Sequence, residues 1–462
     1  MTRIHLIGIG GTGLSAIARV LLESGTTVSG SDRADSPFVR NLRAAGATVM
    51  IGHRPEYVAG ADLVVRSSAI PDDNPEVVAA RAAGIPVLKR SDFLGNLMAG
   101  KTGIAVAGTH GKTTTTAMIA WILTALKQDP TYITGGVLNQ TGVNAHAGKG
   151  SAFVIEADEY DRMFLGLRPM IEVVTNVEHD HPDCYPTPAE FQAAFVEFVK
   201  LLTEDGTLVA CAEDPGAAEL ITSAEKLGKH VVSYGIRPTV TSGLVMLDVY
   251  SEVVSRNDQG GMTFTASILS HPTSVVLQVP GRHNVRNALA ALTVVKLLGL
   301  QLEAAARALG EFTGTGRRFE IRGEAGGVTV IDDYAHHPTE IRATLSAARS
   351  RYPSRRIWAV WQPHTYSRTQ ALFDQFAAAF EDASEVVVTE IFPSREPKQA
   401  YSAETLVKAM SHPSAHFIAG LSDVSNYLLT HLLPGDVLLV LSAGDADQVS
   451  AQVLAGLQER KA

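Results

Sequence analysis

The sequence predicts an α/β protein of three domains, and three observations lead to this prediction. The chain has 462 residues, 45% of them hydrophobic, which is globular composition at a length too great for one hydrophobic core. Short apolar runs alternate with helical patterns almost throughout, as they do in parallel sheets connected by helices. Glycine-rich turns follow two of these runs, near residues 8–13 and 108–111, and each turn is followed by a helical pattern.

The first domain is predicted over residues 1–98. RIHLIGI, residues 3–9, has the pattern of a strand that ends in glycines, and LSAIARVLLES has that of the following helix. Further strands are predicted in VSGSD, which ends at Asp32, in ADLVVRSS from Ala61 and in IPVLK from Ile85. This order predicts a Rossmann-like parallel sheet, with GNLMAGKTG, residues 95–103, as the linker that follows it.

The second domain is predicted over residues 99–316 and the third over 317–462. Strands are expected near 103–108, 153–157, 171–177, 207–211 and 230–234, before the alternating runs LVMLDVYSEVV, MTFTASIL and SVVLQVP. These runs predict an antiparallel appendage, and the helix HNVRNALAALTVVKLLG is expected to end at Gly299. From about residue 320, GVTVIDDY, RIWAVWQP, EVVVTEIF and DVLLVLSAG predict the strands of a C-terminal Rossmann-like α/β domain.

Composition limits the kinds of partner. The net charge is −9, and no block of Lys or Arg is present, which argues against nucleic acid as the main partner. No apolar run reaches the length of about 18 residues that spans a bilayer, and the N-terminus enters a strand pattern directly. We therefore expect a cytoplasmic protein that does not bind membranes. Cys184 and Cys211 are the two cysteines and are expected to be reduced thiols.

The first glycine-rich turn fits a nucleotide-binding fingerprint. Gly8, Gly10 and Gly13 have the G-x-G-x-x-G spacing, and Asp32 ends the next strand, where a ribose-binding carboxylate is expected. Glycines permit the backbone to approach a diphosphate at a helix N-terminus. The motif predicts a bound nucleotide diphosphate, and a purely structural tight turn is the alternative.

The second turn, GTHGKTTTT, has Val106 where the strict phosphate-loop pattern has glycine. Gly108 and Gly111 nevertheless allow successive N–H groups to turn inward, and Lys112 brings a positive charge to terminal phosphates. Thr113 offers a hydroxyl group to Mg²⁺ at the start of a helix. The segment therefore predicts a P-loop, and the central domain is expected to be of the P-loop ATPase type.

Acidic residues follow two strands of the same domain. EADEYD contains Glu156, and VEHDH contains His181, so both segments should lie beside the P-loop at the carboxyl edge of a parallel sheet. Carboxylates suit Mg²⁺, and a histidine can complete a site that keeps waters. A zinc site formed by His179 and His181, and a solvated acidic loop, are the alternatives.

Four further segments carry candidate ligand-binding residues. His283, Asn284 and Asn287 lie on adjacent turns of one helix face, although N-cap and core-edge roles would also explain them. IDDYAHHPTEI and WQPHTYSRT bring histidines to strand-to-helix turns, where α/β sheets bind ligands; His336 and His337 before Pro338 also suit a plain helix start. GTGRRFE places Arg317 and Arg318 at the second domain junction, as phosphate contacts or as a surface pair.

Eight of these segments together resemble the Mur ligases over essentially the whole chain. GIGGTG, GTHGKTTT, EADE, TNVEHDH, GRHNVRNALAA, GRRF, DDYAHHPTE and QPHTYSRT occur in the order and approximate spacing of that family. The resemblance implies domains for a UDP-sugar (1–98), for ATP (99–316) and for an amino acid (317–462). It also implies an ATP-dependent ligase that joins L-alanine to the carboxylate of UDP-N-acetylmuramate through an acyl phosphate, in peptidoglycan precursor synthesis.

The resemblance assigns roles to individual residues. The residues implied to bind ATP are Gly108, Thr109, His110, Gly111, Lys112, Thr113, Thr114, His283, Asn284, Asn287, Arg318 (or Arg317) and Tyr334. Those implied to bind the UDP-sugar are Gly8, Gly10, Gly11, Thr12, Gly13, Ser31, Asp32, Ser67 and Ser68. Thr113, Glu156 and His181 are the implied Mg²⁺ ligands. His336, His364 and Arg368 are expected to meet the amino acid, and Lys112, His336 and Arg368 to be catalytic.

Two positions depart from the family pattern and leave alternatives open. Thr365 stands where many members have arginine, and Tyr160 stands where many alanine ligases have serine. With Tyr160, the segment EADEYD is similar to that of the related ligase that joins a recycled murein tripeptide to UDP-N-acetylmuramate. That ligase is the main alternative. An NAD-dependent dehydrogenase and a non-catalytic nucleotide sensor are the others. The sequence is expected to form a monomer or a weak homodimer.

Overall fold

The computed structural model describes residues 2–237 and 247–460. Its N-terminal part contains β1 (Arg3–Ile7), α1 (Thr12–Glu23), β2 (Thr27–Asp32), α2 (Pro37–Ala44), β3 (Thr48–Ile51), β4 (Leu63–Arg66), α3 (Pro75–Ala82), β5 (Val87–Lys89) and α4 (Arg90–Leu97). The strands form one sheet in the order β3-β2-β1-β4-β5, and all neighbouring strands are parallel. The predicted Rossmann-like parallel sheet is therefore confirmed.

The side chains at the centre of this sheet are buried on both faces. Leu6 and Ile7 follow each other in β1 and therefore point to opposite faces, yet both are fully buried. Leu6 packs in the cluster that includes Ile17 of α1, whereas Ile7 packs with Val77 of α3. Helices thus cover both faces, as a parallel sheet requires.

The central part carries the longest sheet. Its elements are β6 (Thr102–Ala107), α5 (Lys112–Ala125), β7 (Thr131–Ile133), β8 (Ala145–His146), β9 (Ala152–Glu156), β10 (Ile171–Val174), α6 (Pro188–Val199), β11 (Thr207–Cys211), α7 (Pro215–Lys226), β12 (His230–Ile236), β13 (Val249–Arg256), β14 (Met262–Ile268), β15 (His271–Val276), α8 (Arg282–Leu297) and α9 (Leu302–Gly310). The strand order is β15-β14-β13-β12-β11-β10-β6-β9-β7-β8.

The antiparallel appendage is an extension of this sheet. Strand β13 pairs in parallel with β12 and antiparallel with β14, so the appended strands continue the hydrogen bonding of the parallel part. The first three residues of the predicted run LVMLDVYSEVV, 244–246, lie outside the described residues. The linker prediction for 95–103 is wrong over most of its length, because α4 continues to Leu97 and β6 begins at Thr102.

The C-terminal part forms a third α/β layer. It contains β16 (Glu320–Ala325), β17 (Val328–Asp333), α10 (Pro338–Arg351), β18 (Ile357–Trp361), α11 (Tyr366–Ala371), α12 (Phe373–Ala377), β19 (Glu385–Val388), α13 (Glu404–Ala409), β20 (Ala415–Phe417), α14 (Leu421–His431), β21 (Val437–Leu441) and α15 (Asp447–Glu459). The order is β16-β17-β21-β18-β19-β20, with only the edge pair β16 and β17 antiparallel. Across the described ranges, we find no helix with the length and apolar character needed to cross a bilayer.

Candidate active site

The candidate site lies at the carboxyl edge of the central sheet. Strand β6 pairs with β9 on one side and with β10 on the other, so the segments that follow these three strands meet at one edge. They carry the P-loop, Glu156 and the segment up to His181, respectively. The sheet order therefore brings the P-loop and both acidic segments together, as the sequence predicts.

The P-loop needs its glycines for space and for backbone conformation. Gly108 and Gly111 have φ values of 126° and 82°, which side-chain-bearing residues rarely adopt. A Cβ at Gly111 would lie only 2.8 Å from Oδ1 of Asn287. The neighbouring Thr109 and His110 donate backbone N–H groups to the carbonyl and side-chain oxygens of Asn176, at 3.1 and 2.8 Å. The loop is thus closed against the segment after β10.

Lys112 is held at the centre of the loop. Its Nζ donates to the carbonyl oxygen of Gly108 at 2.6 Å and forms an ion pair of 2.9 Å with Glu159. Burial works against the charged form, but the carboxylates of Glu159 and Asp158 outweigh it and raise the pKa of Lys112. A fixed ammonium group is therefore available to a phosphate that enters the loop.

Thr113 and Glu156 form a compact hard-oxygen site next to Lys112. The Thr113 hydroxyl donates to Oε1 of Glu156 at 3.0 Å, and the Gly135 N–H donates to Oε2 at 2.6 Å. Burial raises the pKa of Glu156, although the nearby positive charge of Lys112 acts in the opposite direction. A half-buried carboxylate beside a hydroxyl group is a donor set that suits Mg²⁺, whose charge would offset the partial burial.

His181 approaches the same region from the segment after β10. Its Nε2 lies 3.6 Å from Glu159 and 3.8 Å from Asp180, and its Nδ1 is buried with no hydrogen-bond partner among the described residues. His179, the second histidine of the zinc alternative, instead contacts the carbonyl oxygen of Tyr185 at 2.8 Å. The two rings therefore serve different contacts.

A cavity of about 360 Å³ adjoins the P-loop. Its lining includes His110 and Gly111 of the loop, the α8 residues His283, Asn284 and Asn287, and Arg318 from the segment before β16. Cys211, the last residue of β11, and Tyr234 of β12 form an apolar wall of the cavity. Cys184 and Cys211 are both free thiols. The sequence-predicted polar face of α8 thus lines this cavity.

Arg318 and Arg317, at the second domain junction, make different polar contacts. Both guanidinium carbons lie near the ring centroid of Tyr334, at 5.1 Å for Arg318 and 5.2 Å for Arg317, but Arg318 also lines the cavity. Arg317 donates from Nη2 to the carbonyl oxygen of Ser442 at 2.7 Å, so it binds within the C-terminal part. Arg318 is therefore the better placed of the two for a ligand in the cavity.

Contacts of His110 connect the P-loop to the C-terminal part. Its Nε2 lies 3.0 Å from Glu178, and its Nδ1 lies 3.3 Å from Glu340 of α10. Burial opposes protonation, but both carboxylates outweigh it and raise the pKa of His110 to about 9. His110, Glu178 and His337 could also meet around one ion, although the hydrogen bond between His110 and Glu178 already satisfies them in part.

The residues predicted to meet the amino acid also come together. The rings of His336 and His364 are 5.7 Å apart, and Nδ1 of His364 lies 3.2 Å from Nη1 of Arg368. Burial lowers the pKa of His336 to about 3, with Arg368 contributing and Glu340 opposing. The pKa of His364 is also lowered, to about 4, and burial is the largest cause. Both rings are therefore neutral near pH 7.

Arg368 already has a carboxylate partner. Its Nε and Nη2 both lie 2.9 Å from Oδ1 of Asp180, and the pair is buried across the boundary between the central and C-terminal parts. The arginine pulls the pKa of Asp180 down against the effect of burial. Asp180 is a residue whose role the sequence did not reveal.

The first glycine loop is built differently. The N–H of Gly10 donates to Oδ2 of Asp32 at 2.8 Å, so Asp32 supports the loop backbone. Gly13 leaves space that the Arg90 guanidinium occupies. Ser31 is buried and donates to Glu76 at 2.7 Å, whereas Ser67 is half-buried and Ser68 is exposed. Gly11 and Thr12 are exposed at the start of α1.

A second cavity, of about 160 Å³, extends from the first glycine loop to Glu156. Thr12, Gly13 and Arg90 line one side, and Gly135 and Glu156 line the other. Glu156 therefore shares this cavity with the N-terminal glycine loop.

Some residues of the site escaped the sequence interpretation. The sequence motifs assign no individual role to Glu159, Glu178 or Asp180, and none to Glu340. Glu340 also closes the capping box of α10 with His337, which is a signal that the sequence H-P-T-E carries. Its second contact, to His110, depends on how two sheets pack and has no local sequence signal.

Comparison with known proteins finds Mur ligase domains in all three parts of the chain. Models of the Mur ligase family match residues 3–102 (catalytic domain), 106–295 (middle domain) and 317–444 (glutamate ligase domain). The UDP-N-acetylmuramate–L-alanine ligase of Nitratidesulfovibrio vulgaris (strain DP4) is 44% identical, over 98% of each chain. The enzyme of the same name from Roseiflexus sp. (strain RS-1) is 42% identical, over 99% of each chain.

Two solved structures are similar over nearly the whole chain. UDP-N-acetylmuramate-alanine ligase MurC from Thermotoga maritima has a TM-score of 0.82 at 30% identity and covers 100% of both chains. A murein peptide ligase from Psychrobacter arcticus 273-4 has a TM-score of 0.72 at 26% identity and covers 99% of both.

Proposed function

We propose that this chain, which belongs to the Mur ligase family, joins L-alanine to the carboxylate of UDP-N-acetylmuramate in an ATP-dependent reaction. The reaction would pass through an acyl phosphate and release ADP and phosphate, as a step of peptidoglycan precursor synthesis. The observation that carries the proposal is the position of Glu156, which borders both the P-loop and the cavity that opens toward Gly13. A carboxylate presented from the first loop would meet the phosphate-binding end of the second.

Phosphoryl transfer depends chiefly on positioning and charge neutralisation. Lys112 supplies a fixed positive charge to the transferring phosphoryl group, and Glu159 keeps its ammonium group in the loop before ATP binds. Thr113, Glu156 and His181 would hold Mg²⁺, which supplies further neutralisation of phosphate charge when bound. Thr109, Gly108, Gly111 and Thr114 would surround the phosphates with backbone and hydroxyl donors.

The larger cavity suits the nucleoside end of ATP. Its volume of about 360 Å³ is within the range of small-ligand pockets, and its walls combine apolar groups with a few amide and imidazole groups. His283, Asn284 and Asn287 would contact the adenine and ribose. Arg318 would reach the phosphates, and Tyr334 would flank the nucleotide through its contact with Arg318.

The amine would enter between the central and C-terminal parts. His336 is neutral near pH 7 and donates from Nδ1 to the Tyr334 carbonyl oxygen at 2.9 Å, so its Nε2 can accept a hydrogen bond from the incoming amine. His364 is also neutral and accepts from Arg368 at Nδ1, so its Nε2 is a hydrogen-bond donor. Arg368 would pair with the amino acid carboxylate while it remains anchored on Asp180. We retain residues 1–98, 99–316 and 317–462 as the proposed domains for the sugar nucleotide, ATP and the amino acid.

The alternatives are less well supported. The full-length relatives at 42–44% identity are named as L-alanine ligases, and the alanine ligase fold fits better than the murein peptide ligase fold, with TM-scores of 0.82 and 0.72. A dehydrogenase would leave Lys112 and Glu156 without a use, and a nucleotide sensor would not need both.

Phosphate release from ATP, Mg²⁺ and UDP-N-acetylmuramate tests the proposal, with L-alanine, the murein tripeptide or no amine added. We expect stimulation by L-alanine. Stimulation by the tripeptide alone would overturn the proposal in favour of the murein peptide ligase.

A further inference from the structure

We infer that Arg395 is a second binding residue for the carboxylate of the amino acid acceptor, beside Arg368. This inference rests on the proposed function and adds a residue for which the sequence motifs gave no role. It is carried by the attachment of the Arg395 segment to the start of α11, by the contacts of Arg395 across the domain boundary, and by the different degree to which the two arginines are already occupied.

The segment around Arg395 is attached to the turn that precedes Arg368. Phe392 accepts a hydrogen bond from the Thr365 N–H at 2.9 Å and donates its own N–H to the Pro363 carbonyl oxygen at 2.8 Å. One residue beyond Arg395, Glu396 accepts from the N–H groups of Tyr366 and Ser367, at 2.6 and 3.2 Å. Arg395 is therefore held between two anchor points against the start of α11.

Arg395 also extends across the boundary to the central part. Its Nη2 forms an ion pair of 2.8 Å with Asp183, and its guanidinium carbon lies 4.1 Å from the ring centroid of Tyr160. The Tyr160 hydroxyl donates to the same Asp183 carboxylate at 3.2 Å, and the Tyr160 ring lies 5.1 Å from that of His181. These contacts place the guanidinium group between His181, the proposed Mg²⁺ ligand, and His336 and His364, the histidines proposed to meet the amino acid.

The two arginines differ in what they can still bind. All three guanidinium nitrogens of Arg368 already have protein partners, two on Asp180 and one on His364, and its side chain is buried. Removing a buried arginine from its carboxylate is costly. Arg395 has a 47% exposed side chain, and within residues 2–237 and 247–460 only its Nη2 makes a hydrogen bond. Its Nε and Nη1 are thus open to a ligand.

The positive charges of Arg368 and Arg395 both lower the pKa of His364, one of the two histidines proposed to meet the amino acid. Burial lowers the pKa of His364 most, and the positive charges of Arg368 and then Arg395 lower it further, to about 4. Both charges are therefore close to the ring that faces His336. A carboxylate in this space would receive one arginine that is fixed by Asp180 and a second with free donors in the planar geometry that carboxylates prefer.

The test compares Arg395→Ala, Arg395→Lys and Asp183→Asn for steady-state ligation of L-alanine to UDP-N-acetylmuramate, after thermal melting has shown that each variant is folded. Arg395→Ala should raise the KM for L-alanine roughly 10- to 100-fold, the loss expected for a hydrogen bond to a charged group. The KM for ATP should stay within about twofold of wild type, since Arg395 lies outside the nucleotide cavity. Arg395→Lys should recover part of the loss.

Asp183→Asn separates binding from bridging. It removes the same cross-boundary ion pair but leaves the arginine charge, so the KM for L-alanine should rise less than threefold, or fall, because a competing carboxylate is gone. An unchanged KM in Arg395→Ala, or an equal rise in Asp183→Asn, would overturn the inference. If wild-type protein does not use L-alanine at all, the proposed function itself fails, and that outcome is distinct from wild-type turnover with an unaffected Arg395→Ala variant.

Discussion

The two glycine loops have the same local fold and different chemistry. Each follows a central parallel strand and begins a helix at a glycine N-cap without a side-chain cap, Gly11 for α1 and Gly111 for α5. Both helices therefore present free N–H groups to a ligand. In the first loop the Gly10 N–H donates to the Asp32 carboxylate, which supports the loop backbone. The second loop adds Lys112, and Glu159 and Glu156 stand beside it.

This difference separates holding from reacting. Free N–H groups at a helix start are sufficient to bind a diphosphate, which is all that the first loop is proposed to do. Transfer of a phosphoryl group requires positive charge where negative charge develops, and Lys112 supplies it from within the second loop. The cation beside the first loop, Arg90, comes from α4 and lies 3.5 Å from Asp158. Three kinds of substitution test this difference: removal of the charge of the second loop, removal of its proposed metal ligand, and removal of the backbone support of the first loop.

The largest effect is expected from Lys112→Ala. The variant should lower kcat for ADP production by at least about 10³-fold, because Lys112 is the loop residue that brings a positive charge to the phosphoryl group, whereas the charge of His110 is paired with Glu178 and Glu340. Lys101→Ala is the matched control, since Lys101 also donates to backbone carbonyl oxygens, of Gly148 and Gly150, but lies outside the loop. Turnover of Lys112→Ala at the level of Lys101→Ala would remove the assigned role of the second loop.

His181→Ala should raise the Mg²⁺ concentration needed for half-maximal activity by roughly 10- to 100-fold, the usual result of weakening a metal site. His179→Ala serves as the control, because the His179 ring contacts the Tyr185 carbonyl oxygen and not Glu159. Magnesium titrations of the two variants give the comparison. Coincident titration curves would argue against His181 as a ligand.

Gly10→Ala should act on the first loop alone. An added Cβ would lie 2.8 Å from Val39 and 2.9 Å from Oδ2 of Asp32, so Asp32 must withdraw from the Gly10 N–H. We expect the KM for UDP-N-acetylmuramate to rise about tenfold, equivalent to roughly 1.4 kcal/mol of binding energy. The KM for ATP should not change. Ser24→Ala, at the other end of α1, is the control, and a matching rise there would point to general damage to the helix.

The last expected effect is on stability and not on turnover; it depends on pH and arises in the second loop, through His110. Its pKa in the folded protein, about 9, exceeds the ordinary value of 6.5, so the contribution to stability is complete below pH 6.5 and is lost as pH rises through 9. The loss is at most roughly 1.4 kcal/mol per pH unit within that window. The Tm of wild type should therefore fall more steeply between pH 7 and 9 than that of His110→Asn. Parallel Tm profiles would contradict this reading.

Local patterns predicted the parts of the molecule that depend on local chemistry. The glycine loops, the strands that precede them and the acidic strand ends could all be found, because turn conformation and strand periodicity are written in adjacent residues. The polar face of α8 was also visible, since His283, Asn284 and Asn287 share a helical repeat. The meeting of the P-loop with both acidic segments could be predicted from their positions at the carboxyl ends of parallel strands.

Contacts between sheets were not predictable in the same way. The pair of Arg368 and Asp180 joins residues 188 positions apart, and its formation depends on how the C-terminal sheet packs on the central one. The contact of His110 with Glu340 has the same origin. The linker prediction was wrong over most of its length for a related reason. The glycines indicated a break, but Gly95 packs in α4 against the Gly166 carbonyl oxygen, where a side chain would not fit.

Oxygen transfer from the sugar carboxylate to phosphate tests the division between the two loops most directly. UDP-N-acetylmuramate labelled with ¹⁸O in its carboxylate would be converted with ATP, Mg²⁺ and L-alanine, and the released phosphate analysed by mass spectrometry. If the first loop presents the carboxylate to the phosphoryl group held by the second, each phosphate carries one ¹⁸O atom. Unlabelled phosphate formed together with the ligated product would contradict the acyl phosphate route.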